Sequence, residues 1–364
     1  MTFFQKVFED HLFEFYAQGV TMNMLISDSS DLSASRFFTK KNFHCNVVRP
    51  LHPLDIDSIS FIEGSLLDHL TEYKLQTLLD LIFVEDFNFD GSSVDFFQLI
   101  FNNLKPGGFF LSECLSSKSA PTKESLINTG FEILADYQNQ EKYSVFCKKP
   151  FKNYFETSSN FHLYKHIVEK KKAATRRSYK HFDVFCQIIN EFNINYFAEG
   201  GTDIGLHRHG GIIPWDDDID LMFLEKDWNN LLSIKPLLEE NGLKFKRKGG
   251  WMKHVHTGKI LPQDSRTECQ HCHFGSIDCF KMISDGDYWT SVARGHLHKD
   301  DHKTVCKQPF GKTFINAPLC SITSLSRRYK QNYFSTGDVS DNFHFKDRSV
   351  PRFSLTPEDR SFFV

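Results

Sequence analysis

At 364 residues, with 24% charged and 40% hydrophobic positions, the chain is long enough for about two globular cores. Its 20 glycines and 12 prolines are too few for a disordered or collagen-like polypeptide, and a net charge of −3 offers no basic field for nucleic acid, so an anionic ligand has to be met by local groups. The 38 phenylalanines can fill large cores, and the 9 cysteines, an odd number, fit reduced thiols better than a disulfide framework. No run approaches the roughly 20 apolar residues of a membrane span. The first segment carries Glu9, Asp10 and Glu14, which a signal peptide would not. The expectation is a cytoplasmic protein without a transmembrane segment.

From Thr21 to Pro150, short apolar runs alternate with helical stretches, the pattern of βαβ units on a largely parallel sheet. Strands are expected at Met24–Ile26, Cys45–Val48, Leu79–Val84 and from Phe109, with a late one at Tyr143–Phe146. Helices are expected near Leu32–Lys40 and over Val94–Leu104, the second stopped by Lys105-Pro106-Gly107-Gly108. Leu81–Val84 followed by Leu104–Leu111 resembles the second half of a class I S-adenosylmethionine-dependent methyltransferase, with Phe61–Ser65 standing where that fold has a strand. Binding that cofactor requires a glycine-rich first turn and an acid after the second strand. Here the turn reads Ser27-Asp28-Ser29-Ser30-Asp31 and the second strand ends in Arg49-Pro50. Residues 1–150 are therefore expected to form a methyltransferase-like, Rossmann-like domain that is non-catalytic, and S-adenosylmethionine is not an expected cofactor.

Asn160 to Asn193 reads as one long helix bearing Lys170-Lys171-Lys172 and Arg176-Arg177. A solvated face explains that basic run; a phosphate or peripheral membrane contact is the other reading.

Asn195–Glu199 then reads as a short strand ending in Gly200-Gly201-Thr202, with one or two helical turns over Asp203–His207. Glycines at a strand-to-helix turn leave backbone N–H groups to cradle a phosphate. Arg208–Trp215 follows, and Asp216-Asp217-Asp218-Ile219-Asp220 runs into Leu221–Leu224. On a strand, Asp216, Asp218 and Asp220 would project to one side. Like charges gathered beside an apolar strand call for a divalent cation, and an all-oxygen ligand set suits Mg²⁺. An acidic turn that stays solvated is the alternative.

Gly200–Gly205 followed by Arg208–Asp220 resembles the signature of the LicD family, which includes bacterial phosphorylcholine transferases and is related to fukutin and the fukutin-related protein. The likeness spans roughly Phe161 to Phe334. It implies a nucleotidyltransferase-like mixed sheet with helices over residues 151–364, and with the first domain an overall α/β and α+β chain. It implies Gly200, Gly201 and Thr202 as the turn that binds the donor phosphates, and Mg²⁺ or Mn²⁺ held by Asp216, Asp218 and Asp220; Arg208 is a candidate phosphate fork, with an exposed loop arginine as the alternative. A third acid is carried over to Asp278 in Gly275-Ser276-Ile277-Asp278-Cys279-Phe280, where it completes the metal site or accepts a proton. Asp218, Asp220 and Asp278 are then the catalytic acids, and Trp215 is expected to pack. The family usually reads Gly-Thr-Leu-Leu-Gly-Ala, from which Asp203, Leu206 and His207 depart.

Cys269, Cys272, His273 and Cys279 are the ligand types of a tetrahedral zinc site, without a clean second pair. Zn²⁺ is thus a second candidate metal, against reduced residues lining a loop. The implied activity is transfer of a phospho-alcohol, of phosphocholine or of ribitol or glycerol phosphate type, from a CDP-alcohol donor to a hydroxyl on a glycan or glycolipid acceptor. Attachment of a nucleotide itself, or a bifunctional protein with an S-adenosylmethionine-binding or regulatory first domain, are the alternatives.

Overall fold

The computed structural model describes residues 3–27, 33–41, 43–49, 59–63, 66–72, 76–85, 94–114, 121–138, 142–216, 218–247, 257–262, 276–291, 295–319, 321–329, 332–342, 345–346 and 350–364. The chain divides into two compact units, Met1–Lys152 and Asn153–Val364.

In the first unit, α1 (Phe3–Val7) and α2 (Phe13–Ala17) flank a π-helical turn. Then come β1 (Met22–Ser27), α3 (Ser33–Thr39), β2 (Phe43–Arg49), β3 (Ile59–Glu63), α4 (Leu66–Glu72) and β4 (Leu79–Glu85). They are followed by α5 (Val94–Asn103), β5 (Leu104–Cys114), α6 (Lys123–Thr129), β6 (Glu132–Gln138) and β7 (Tyr143–Lys148). The sheet order is β3-β2-β1-β4-β5-β7-β6, with the first five strands parallel and β7 antiparallel to both its neighbours. That is a doubly wound, Rossmann-like order with an antiparallel edge. Helices can cover both faces of such a sheet, so its strands need not alternate: Met24, Leu25 and Ile26 are all buried, as are Leu81, Ile82 and Phe83.

The expected strands at Met24, Cys45, Leu79 and Tyr143 are β1, β2, β4 and β7, and Phe61 falls in β3. Two details differ. β5 starts at Leu104 rather than after the glycines, because Leu104 already pairs with Leu79 of β4, and the glycines are held in the strand by bonds of 2.8 Å from the Gly107 N–H to the Lys149 carbonyl and from the Lys149 N–H to that of Gly108. The edge strand β6 gives no sequence signal, being mostly solvated and carrying Glu132, Asp136 and Gln138. Residues 28–32, the turn that lacks a glycine, lie outside the described residues.

Phenylalanine supplies much of this core. Phe38 meets Phe43 at 5.0 Å and Phe8 meets Phe37 at 5.6 Å, both edge-on, the arrangement that ring quadrupoles favour. One buried charge pair crosses it: Lys105 Nζ lies 3.0 Å from Asp80, whose other oxygen accepts from the Asn23 N–H at 2.8 Å. Asp80 thereby ties β1 and β5 to β4 between them. Asp80→Ala strands a buried ammonium and is expected to cost about 3–5 kcal/mol. Replacing the pair together, Asp80→Leu with Lys105→Met, should recover most of that loss, as read by circular dichroism during urea unfolding.

The second unit opens on α7 (Phe161–Glu191), whose buried residues recur at three- and four-residue spacing. After it come β8 (Phe197–Ala198), α8 (Gly200–Arg208), β9 (Asp218–Leu224), α9 (Glu225–Ser233), α10 (Lys235–Glu240), β10 (Leu243–Arg247) and β11 (Thr257–Pro262). The chain continues through β12 (Ser276–Asp285), β13 (Tyr288–Ser291), β14 (Gly295–His298), the hairpin β15 (Val305–Phe310) and β16 (Thr313–Pro318), and α11 (Ile322–Tyr329). β12 is the hub of a mixed sheet. Its first part pairs parallel with β9 and antiparallel with β11, while its end pairs with β13, which continues into β14. β10 extends the sheet beyond β11, and β8 pairs with β9. Among the described residues no helix is long and apolar enough to cross a membrane.

Candidate active site

Alternation on β9 divides its residues into two sets. Ile219, Leu221 and Phe223 join the core that Phe182 and Phe185 of α7 help to build. Asp218, Asp220 and Met222 take the opposite face, where Met222 packs with Phe280, Met282 and Leu297. On β12, Ile277 and Cys279 enter the first core and Asp278 shares the second face with Phe280. The parallel register sets Asp220 directly beside Asp278, and Asp218 beside Ser276.

Carboxylate oxygens of Asp218, Asp220 and Asp278 consequently lie within 4.8 Å of one another, with Asp220 and Asp278 buried. Two such charges at that separation repel by roughly 3 kcal/mol at the effective dielectric of a protein surface. A dication turns this repulsion into attraction, and the all-oxygen donor set fits Mg²⁺ or Mn²⁺.

Asp216 is placed differently from the expectation. β9 starts at Asp218, so Asp216 belongs to the preceding turn, where its N–H donates to the Ile213 carbonyl at 2.8 Å. Its carboxylate lies over Gly201 instead: a Cβ at residue 201 would come within 2.8 Å of Asp216 Oδ2. Asp217 lies outside the described residues.

The turn that opens α8 is built on its glycines. Gly200 has φ of +62°, a left-handed conformation that side chains disfavour, and Gly201 admits the Asp216 carboxylate. The Thr202 hydroxyl accepts from the Asp220 N–H at 2.7 Å, fixing the helix start to the acid-bearing strand and leaving the O–H to donate. Glu199, just before the turn and extended in backbone, donates its N–H to the Asp220 carbonyl at 3.1 Å. Its buried carboxylate is met by Arg328 of α11. The sequence reading missed this pair; an acid next to the Gly-Gly-Thr turn was its one visible sign.

The loop between α8 and β9 is held from α7. Lys171 Nζ donates to the Trp215 carbonyl at 3.1 Å and the Thr175 hydroxyl to that of Asp216 at 3.2 Å. Lys171 is thus buried and leaves the expected solvated basic run. Trp215 packs, as expected, against Tyr164 with ring centroids 4.8 Å apart, and its indole N–H donates to the Asp338 carbonyl.

Arg208 is a correction. In place of a fork for donor phosphates it is a buried support: Nη1 donates to the Tyr333 and Thr336 carbonyls at 2.8 and 3.1 Å, and Nε to His209 Nε2 at 2.8 Å. Burial, with Arg360 nearby, brings its guanidinium down to about 9, and burial holds His209 well below its usual range. Asp203 and His207, two departures from the family pattern, answer each other one helical turn apart, with Asp203 Oδ1 and His207 Nε2 separated by 3.5 Å.

Cys279 faces the apolar core, away from the carboxylates, and burial raises its thiol well above the ordinary value, as befits an inert structural cysteine. The other members of the expected zinc set, Cys269, Cys272 and His273, lie outside the described residues.

The sequence profile of the LicD/FKTN/FKRP nucleotidyltransferase domain matches residues 193–328, the stretch that holds all three clustered acids. An uncharacterized protein of Rickettsia typhi is 30% identical over 214 residues, 56% of this chain and 63% of that one. The lipopolysaccharide cholinephosphotransferase LicD of Haemophilus influenzae is 38% identical over 52 residues, covering 14% of this chain and 20% of its own length. Human ribitol 5-phosphate transferase FKRP is 26% identical over 164 residues, covering 42% and 30%. The chain thus spans less than two thirds of each of these relatives. Among solved structures, the N-methyltransferase NodS of Bradyrhizobium japonicum is similar at 13% identity and a TM-score of 0.31, over 41% of this chain and 97% of that one.

Because Arg208 is committed to backbone carbonyls, Arg208→Ala is expected to destabilise the second unit by about 3 kcal/mol. All 4 tryptophans fall in the second unit's sequence, so their fluorescence in urea reads the loss. Molecules that remain folded should bind CDP with Mg²⁺ as the parent does. Weakened CDP binding at unchanged stability would restore the phosphate role.

Proposed function

We propose, from the LicD/FKTN/FKRP domain at residues 193–328, that the chain transfers a phospho-alcohol from a CDP-activated donor to a hydroxyl of a glycan or glycolipid, with Mg²⁺ or Mn²⁺ held by Asp218, Asp220 and Asp278. The observation that carries this reading is the in-register meeting of Asp220 and Asp278 with Asp218 beside them. Asp218 is the most solvated of the three and Asp278 the most buried, so a ligand enters past Asp218.

The chain's own groups divide the work. Backbone N–H groups at the start of α8 and the Thr202 hydroxyl hold the diphosphate oxygens, helped by the positive end of the helix dipole. Glu199, neutralised by Arg328, anchors that turn beside Asp220 without adding a net negative charge to the pocket. A bound dication supplies charge neutralisation on the diphosphate and on the departing cytidine monophosphate. The Asp278 oxygen that does not hold the dication takes the proton from the acceptor hydroxyl as the hydroxyl oxygen bonds to the phosphorus and the bond to the cytidylate oxygen breaks. The first unit has no part in this chemistry, since its sequence lacks the glycine turn and the ribose-holding acid of a cofactor-binding domain.

Asp218→Ala or Asp220→Ala should lower transfer about a thousandfold, the several kcal/mol that metal-assisted charge neutralisation supplies. Without metal, both variants should be as stable as the parent or slightly more so, because a repelling charge is gone. Product mass distinguishes a phospho-alcohol on the acceptor from a nucleotide, and unchanged turnover in either variant sinks the assignment. Mg²⁺ with CDP should raise the melting temperature of the parent, through preferential binding to the folded state, and leave Asp220→Ala unmoved.

A further inference from the structure

On the same side of the sheet as the three acids lies a cleft of about 300 Å³ between the β13–β14 hairpin and α11. Three observations connect it to the site. Leu297, on its wall, belongs to the apolar cluster of Met222 and Phe280, the residues two positions along their strands from Asp220 and Asp278. Arg328 lines the cleft and also meets Glu199. Glu199 in turn bonds through its backbone to Asp220. The cleft is therefore joined to the acid-bearing strand β9 through one side-chain pair.

Its lining is chemically particular. Arg327 is paired with Asp301 at 2.6 Å and Arg328 with Glu199, so each guanidinium already has its carboxylate and no surplus arginine charge awaits a diphosphate. Tyr288 is 45% exposed, in contrast to the aromatic rings of the core, and stands edge-on to His298 across the hairpin at 5.2 Å. A half-exposed ring that offers its surface to solvent, beside charge-balanced donors and acceptors, matches a molecule with one apolar C–H face and a rim of hydroxyls.

We infer that this cleft seats the acceptor as a saccharide ring, stacked on Tyr288 and hydrogen-bonded by the Asp301–Arg327 pair, with its reactive hydroxyl directed past Arg328 toward the acids. This assignment rests on the phospho-alcohol-transfer reading and adds to it the place where the acceptor sits.

Saturation-transfer NMR on the full chain with Mg²⁺ tests it, with methyl β-galactopyranoside, methyl α-glucopyranoside and CDP as separate probes. At least one glycoside should receive saturation at its ring protons. Its affinity should fall about fivefold in Tyr288→Ala, the worth of one aromatic contact, and be kept in Tyr288→Trp. CDP binding should depend on Asp218 and be the same in Tyr288→Ala as in the parent. The inference is overturned if neither glycoside binds, if Tyr288→Ala retains the glycoside, or if Tyr288→Ala loses CDP, which would make the cleft a nucleotide site. Glycoside binding that depends on Tyr288, together with transfer indifferent to Asp218→Ala, supports the saccharide cleft and removes the transfer mechanism instead.

Discussion

The parallel pairing of β9 with β12 is the constraint on which the second unit depends. With Asp220 opposite Asp278, two buried acids share one face, and a slip of one residue would send one of them into the apolar core behind. Several contacts hold the strands in that position. Ile219, Leu221 and Phe223 bury the reverse of β9, the Thr202 hydroxyl fixes a backbone N–H at its front, and Lys171 and Thr175 clamp the loop that feeds it. Packing energy on one face thus holds repelling charges together on the other.

Around that centre, buried polar groups gather in sets. Arg208, His209 and the carbonyls of Tyr333 and Thr336 form one, joining the end of α8 to a segment far along the chain. Asp203 and His207 form another within α8 itself. The second set is a proximity, 3.5 Å between Asp203 Oδ1 and His207 Nε2, that places a histidine beside the buried acid at 203. A buried carboxylate alone would cost several kcal/mol.

Much of this was legible in the sequence, for identifiable reasons. The β/α alternation of the first unit shows because strands covered on both faces are continuous apolar runs, and the acids on β9 and β12 show because period two is visible in Asp218-Ile219-Asp220 and in Ile277-Asp278-Cys279. Where β9 begins did not show, and Asp216 was assigned to the strand although the bonds of its own turn, to Ile213 and Thr175, take it out. Arg208 and Lys171 carry charges that suggest solvent or phosphate, whereas Lys171 and the Nη1 of Arg208 donate to backbone carbonyls, which leave no mark on a sequence. The Glu199–Arg328 pair joins residues over a hundred positions apart, and nothing local announces it.

β12 does two jobs along its length. Its first residues hold the register of the acids, and its last ones lead without interruption into the hairpin that bears Tyr288. A change confined to the hairpin therefore leaves the pairing that sets Asp220 beside Asp278 unaltered.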